Sequence, residues 1–242
     1  MGLPIVSFKT MKQSDNVVVL GAGPSIDAVH EKVREWYDAM NPIVIGTHHK
    51  YFIPSSYTVF DTPDRFLNMQ GKLSGFYLVG DRIRAKDVKR KYKKRALRIR
   101  YGPVSLLKWK ADRFVVKSNE VPYGAPGWDA VCIATFCRPK NLLIAGIDGY
   151  FISKSKVSIE HAKRSLIKYA SNTRAIRVFK NAKQRAKYSL HEKLRKKMVP
   201  KIFRYLVREL GINVYIYEES RFHGVDKNCL REIGVHVIGD EK

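Results

Sequence analysis

VVVLGAGPS, Val17 to Ser25, is the stretch on which the fold turns. Four consecutive apolar residues, three of them β-branched, suit a strand buried on both faces. Gly21 and Gly23 permit a tight turn, Pro24 stiffens it, and Ser25 is a good N-cap. Ile26, Val29, Val33, Trp36 and Met40 then follow at helical spacing. A strand, a GxG turn and a helix aim backbone N–H groups and a helix dipole at a phosphate. The same letters also serve as a plain strand-to-helix turn. Ile26 stands where a dinucleotide fingerprint wants a third glycine, and there is no Walker lysine.

Further strands are expected at Ile43–Gly46, Tyr57–Phe60, Phe76–Gly80, Leu142–Ile147, Val214–Glu218 and Val235–Ile238. Helices are expected from about Trp128 to Phe136, across the basic stretch from Ile159 to Arg185, and from Glu192 to Leu210, stopping at Gly211. Alternating strands and helices predict an α/β, Rossmann-like, mostly parallel sheet flanked by helices. We read residues 1–242 as a single nucleotide-binding domain, with 149–191 as a basic, helical, lid-like insertion.

Lys and Arg total 46 against 22 Asp and Glu, a formal net charge of +24. Arg82–Arg100 and Lys163–Lys197 hold 11 and 13 basic residues with one acid each, leaving the rest nearly neutral. Two such segments predict a polyanionic partner: nucleic acid, an anionic membrane surface or an acidic glycan. Solvated helix faces are the plainer alternative. The candidate polyanion contacts are Lys89, Arg90, Lys91, Lys93, Lys94 and Arg95 in the first segment. In the second they are Lys163, Arg164, Arg174, Arg177, Lys180, Lys183, Arg185 and Lys187. Tyr92, Tyr169, Phe179 and Tyr188 interleave the charges and could stack on bases. No helix-turn-helix, zinc-finger or RRM signature accompanies them. Cys132, Cys137 and Cys229 have no metal-binding spacing, which fits a reducing cytoplasm. No apolar run reaches the roughly 18 residues of a membrane span, and no secretory signal is expected. A homo-oligomer stays open.

VVVLGAGPSID resembles the first strand and loop of the bacterial sialyltransferases of glycosyltransferase family 42. GWDAVCIATFCRPKNLLIAGIDGY, Gly127 to Tyr150, resembles their central helix and strand, and Tyr188-Ser-Leu-His191 matches their Y-x-x-H. The similarity runs in order from about Val17 to Ser220. It implies that Tyr150 and Tyr188 bind the leaving phosphate and that His191 is the general base. The nucleotide is expected on Gly21, Ala22, Gly23, Pro24, Ser25, His48, Asp61, Thr62, Pro126, Gly127 and Asp148. The chain departs from the family at the donor pocket. Ala22 and His48 replace two asparagines, Pro126 replaces a serine, and Lys156 lies near the place of a second phosphate tyrosine. The scaffold and catalytic pair are retained, while the sugar is left open.

The GAGPS loop also resembles the domain-of-unknown-function group 115, which includes flagellin glycosyltransferases and archaeal 6-hydroxymethylpterin pyrophosphokinases. On that resemblance Asp61 and Asp148 would hold magnesium near a diphosphate, oxygen ligands that suit this cation. Asp148 reads equally well as a cap after its strand. The leading expectation is a metal-independent transferase with a nucleotide-sugar donor and no required cofactor, since no DxD motif appears. Its acceptor is expected to be polyanionic, with modified DNA foremost. The alternatives are a glycan or lipid acceptor at an anionic membrane, a magnesium-dependent pyrophosphokinase and a non-catalytic nucleic-acid binder.

Overall fold

The computed structural model describes residues 2–23, 25–105, 120–123, 125–148 and 182–239. Eight strands form one sheet in the order β10-β9-β8-β1-β2-β3-β4-β5, and every neighbouring pair is parallel. They are β1 (Asn16–Leu20), β2 (Ile43–Thr47), β3 (Tyr57–Phe60), β4 (Phe76–Val79), β5 (Ala96–Arg98), β8 (Asn141–Ala145), β9 (Asn213–Tyr217) and β10 (His236–Ile238). β6 (Tyr101–Ser105) and β7 (Val121–Tyr123) make a separate two-stranded sheet. The α/β reading therefore holds, with a sheet wholly parallel among the described residues.

β1 shows why the sequence folds this way. Successive side chains of a strand point to opposite faces. Val17 and Val19 join the core that packs on α3 (Pro126–Ala134). Val18 and Leu20 join Ile26, Val29 and Val33 of α1 (Ser25–Met40) on the other face. A strand covered on both sides has no polar position, hence the unbroken apolar run. Pro63 and Pro126 open α2 (Pro63–Met69) and α3, where a missing N–H costs no hydrogen bond.

After β1 the chain winds to one side through β2, β3, β4 and β5. It then returns and builds β8, β9 and β10 on the other. The direction reverses between β1 and β8, so their carboxyl ends flank the crevice where ligands bind in such sheets.

Three details differ from expectation. Arg82–Arg100 is not a helix face. It forms two short 3₁₀ turns, Ala85–Asp87 and Arg90–Arg95, and then β5, with Ile83, Val88, Leu97 and Ile99 buried. Lys89, Arg90, Lys91, Lys93 and Lys94 are exposed, whereas Arg95 donates to the carbonyls of Leu73 and Gly75 and lies over the Tyr77 ring. Second, the expected break before Glu192 is absent. α4 (Ala182–Arg204) runs through it despite Pro200 and continues into a π-turn, Tyr205–Glu209. The stop at Gly211 stands, with φ +65°. Third, residues 4–6 cover the outer edge of β5: Val6 N–H donates to Arg98 O at 2.8 Å and Arg98 N–H to Pro4 O at 2.7 Å.

α5 (Lys227–Ile233) starts at Asp226, whose carboxylate accepts Asn228 N–H, and ends at Gly234 with φ +102°. Met198, Val199, Ile202 and Phe203 of α4 are buried in the same core as Trp128 and Phe222. No helix among the described residues is long and apolar enough to cross a membrane. Cys132, Cys137 and Cys229 are all free thiols.

Candidate active site

The glycine loop sits against the end of β8. Gly21 N–H donates to Ala145 O at 2.8 Å and Gly23 N–H to Gly146 O at 2.7 Å. A Cβ on Gly21 would overlap the Gly146 carbonyl and lie 2.9 Å from Ile147 Cγ1. One on Gly23 would lie 2.5 Å from Asp148 Oδ2. Glycine is needed here because two loops meet backbone to backbone.

Asp148 is the centre of that junction. Ser25 N–H donates to its Oδ2 and Ser25 Oγ–H to its Oδ1, both at 2.7 Å, while Arg221 N–H donates to Oδ1 at 3.0 Å. The carboxylate therefore caps α1 and neutralises the positive end of its dipole. Its backbone carbonyl accepts His223 N–H at 3.1 Å. The N–H groups of Gly21, Gly23 and Ser25, which the sequence offers as a phosphate cradle, are bonded inside the protein. The capping alternative describes what Asp148 does, and both its oxygens are occupied.

A second cluster lies beside it at the ends of β2 and β3. Thr47 Oγ1–H donates to Leu20 O at 3.4 Å, tying β2 to β1. His48 follows with φ +59°, a left-handed conformation rare outside glycine. Its N–H donates to Val59 O at 3.0 Å, and its Nε2 lies 2.9 Å from Asp61 Oδ1. His48 is only 6% exposed. Burial holds its imidazole below the usual value, with Asp61 opposing and Arg65 adding to the depression. His48 is therefore neutral near pH 7 and donates Nε2–H to the carboxylate. Burial works to raise the Asp61 carboxyl, but the hydrogen bond from His48, with the charge of Arg65, holds it low.

His49 is depressed to about 4 by burial, then by Arg65 and His48. Tyr51 donates its hydroxyl to Thr47 O at 2.8 Å, and burial raises it to about 12. Three buried polar atoms here have no protein partner: His48 Nδ1, His49 Nε2 and Thr62 Oγ1. Thr62 precedes α2 without a side-chain capping bond. Buried polar atoms are ordinarily satisfied, so this group calls for a ligand or water.

Burial of these histidines sets a pH dependence. A folded-state pKa below the unfolded one means that the unfolded chain binds more protons. Stability is then full above about 6.5 and falls as pH drops toward about 4. For His49 the expected loss is about 1.4 kcal/mol per pH unit within that window. Urea unfolding between these limits measures it, and His49→Asn is expected to flatten the slope.

A third group lies on the side of α3. Tyr101 donates its hydroxyl to Asp129 Oδ2 at 3.1 Å, and burial, then Asp129, raise the phenol strongly. Trp128 donates Nε1–H to His223 Nε2 at 3.0 Å, with the rings stacked. This bond places the imidazole proton on Nδ1. Phe222 and His223 both have positive φ, +41° and +59°. Two adjacent residues in this region store strain, which the contacts to Trp128 and Asp148 hold in place.

The structure thus brings together Gly21, Gly23, Ser25 and Asp148, and separately His48 and Asp61. Ala22 is half-buried within the glycine loop, and Pro126 and Gly127 open α3 beside Ile147. Tyr188 and His191 share helix α4, as do Lys183, Arg185 and Lys187, but their side chains lie outside the described part. Pro24, Tyr150, Lys156, Lys163, Arg164, Arg174, Arg177 and Lys180 lie outside the described residues. So does most of the 149–191 segment and of the helix expected from Ile159.

Asp61 and Asp148 do not fit a shared magnesium site: one is paired with His48 and the other is consumed by Ser25 and Arg221. Among the described residues no group of three His, Cys, Asp or Glu could hold a metal ion. Arg65, Asp129 and His223 are additions that sequence reasoning missed. Only the FHG run at 222–224 hints at one of them.

No family model matches the chain, so neither resemblance drawn from its motifs extends to a family match. No curated protein matches it either. Among solved structures, the chain is similar to "MAf glycosyltransferase from Magnetospirillum magneticum AMB-1", with a TM-score of 0.40 and 10% sequence identity. The similarity covers 86% of this chain and 43% of that one, so the chain spans less than half of that protein's length.

Proposed function

We propose that the chain is a glycosyltransferase that moves a sugar from a nucleotide donor to a hydroxyl of an anionic acceptor. The observation that supports it is the unsatisfied polar group at the carboxyl ends of β2 and β3. His48 Nδ1, the acceptor of a neutral imidazole anchored by Asp61, suits a ribose hydroxyl or a base N–H. Arg65, in the first turn of α2, places positive charge beside it for a diphosphate.

In this reading Tyr150 and Tyr188 donate phenolic hydrogen bonds to the leaving phosphate, which stabilises developing charge without a metal. His191 takes the proton of the acceptor hydroxyl as the C–O bond forms, and the nucleotide departs with the old bonding pair. The two basic segments draw in the acceptor.

A thermal-shift screen over nucleotides and nucleotide sugars, followed by transfer assays with the donor found, tests the reading. His48→Ala is expected to lose the donor-induced rise in Tm. His191→Ala is expected to keep that rise and lose about 10²- to 10⁴-fold in transfer. No shift with any nucleotide would overturn the donor site. Full turnover by His191→Ala would remove that histidine from the base role.

A further inference from the structure

A groove of about 580 Å³ runs between α4 and α5, far from neutral in what surrounds it. Leu190, Leu194, Pro200, Val225 and Cys229 form its floor, and Lys193, Lys196 and Lys197 its rim. Leu190 is 57% exposed, an unusual state for leucine, and the three lysines are exposed. Lys193 and Lys197 stand three and seven residues after Leu190, so apolar stem and charged head share one face. Asp226, the acid in the lining, is engaged in capping α5 through Asn228 N–H.

We propose that this groove docks the protein on an anionic lipid bilayer, taking an acyl chain on its floor and lipid phosphates on its lysine rim. The volume lies within the range of ligand pockets. Charge decides among occupants. A second copy would bring the same lysines face to face. Single-stranded nucleic acid takes stacking rings, and this floor is aliphatic. Anionic lipid satisfies both the lysines and the leucines. The docking surface uses none of the donor-site residues at the sheet edge, and its lysines are the last of the second basic segment.

Co-sedimentation of the full chain with vesicles tests it, comparing phosphatidylcholine alone with phosphatidylcholine holding about one-third phosphatidylglycerol. Binding is expected only with the anionic lipid. Each change of Lys193, Lys196 or Lys197 to Ala is expected to weaken it about fivefold. Leu190→Glu is expected to weaken it at least about tenfold, with Tm unchanged because the side chain is already exposed. Leu190→Ser serves as an uncharged control expected to act in the same direction. The proposal is overturned if anionic vesicles do not bind, or if both Leu190 variants bind as wild type does. It is equally overturned if duplex DNA displaces the protein from vesicles while remaining indifferent to Leu190→Glu, which would make this face a nucleic-acid contact.

Discussion

Gly21→Ala is expected to remove most of the chain's stability, lowering Tm by about 10 °C or more. The added methyl would meet the Gly146 carbonyl, backbone that cannot swing aside as a side chain can. Retreat of either loop breaks the bonds from Gly21 N–H to Ala145 O and from Gly23 N–H to Gly146 O. Overpacking of a close-packed site commonly costs about 1–3 kcal/mol. Each buried donor left unmade adds about 1–3 kcal/mol. Against a total of about 5–15 kcal/mol, this is a large fraction. A domain of this size loses about 2–4 °C per kcal/mol, which sets the expected shift. A melt within about two or three degrees of wild type, by the same scaling, would show that the loops after β1 and β8 part at little cost. Gly211→Ala is the control: its added Cβ meets nothing within 4 Å, so only its φ of +65° is at stake.

Asp148→Ala is the second large effect. It strands Ser25 N–H, Ser25 Oγ–H and Arg221 N–H and takes the negative charge from the start of α1. Hydrogen bonds to charged groups contribute about 1.5–3 kcal/mol each. Even with partial rescue by water, a loss of about 3–5 kcal/mol is expected in urea unfolding. Asp148→Asn is expected to fall between, because its amide keeps one acceptor oxygen but turns two N–H donors toward the donors around it. A magnesium-ligand role would give a different result: a small stability change and a large change in metal affinity. The two are separated by measuring unfolding with and without magnesium.

The parallel sheet was legible wherever burial is two-sided. VVVL, IVIG and LLIA are unbroken apolar runs, and YTVF departs only at Thr58, for a reason that geometry confirms. β5 was not legible, because Ala96-Leu97-Arg98 is short and sits in a run of lysine and arginine. Edge position lets Arg98 turn outward toward the Gly80 carbonyl, so the alternation that betrays a strand is lost. The join at 186–191 within α4 was not legible, because its first turns, AKQRAKYS, lack an apolar stripe. In the site, the glycine loop was visible, but its purpose was not. GxG reads as a cradle for a ligand, and only the position of β8 reveals that Gly146 and Asp148 fill it. His48 and Asp61 were both singled out, yet their pairing depends on β2 lying beside β3, which twelve intervening positions hide. His223 owes its place to Trp128, 95 residues away, and no local signal marks it.

Residues 4–6 have a consequence for behaviour in concentrated solution. β5 would otherwise end the sheet with a row of open peptide groups, the template on which chains add to one another. The short bridge from Ile5 to Arg98 occupies that template, and the exposed lysines and arginines just before β5 repel a second molecule from it. Trimming those few residues, or fusing a bulky partner to them, would leave a core that still folds but whose rim recruits its own kind. Slow, concentration-dependent turbidity would then appear, alongside a fall in Tm from the lost burial of Val6.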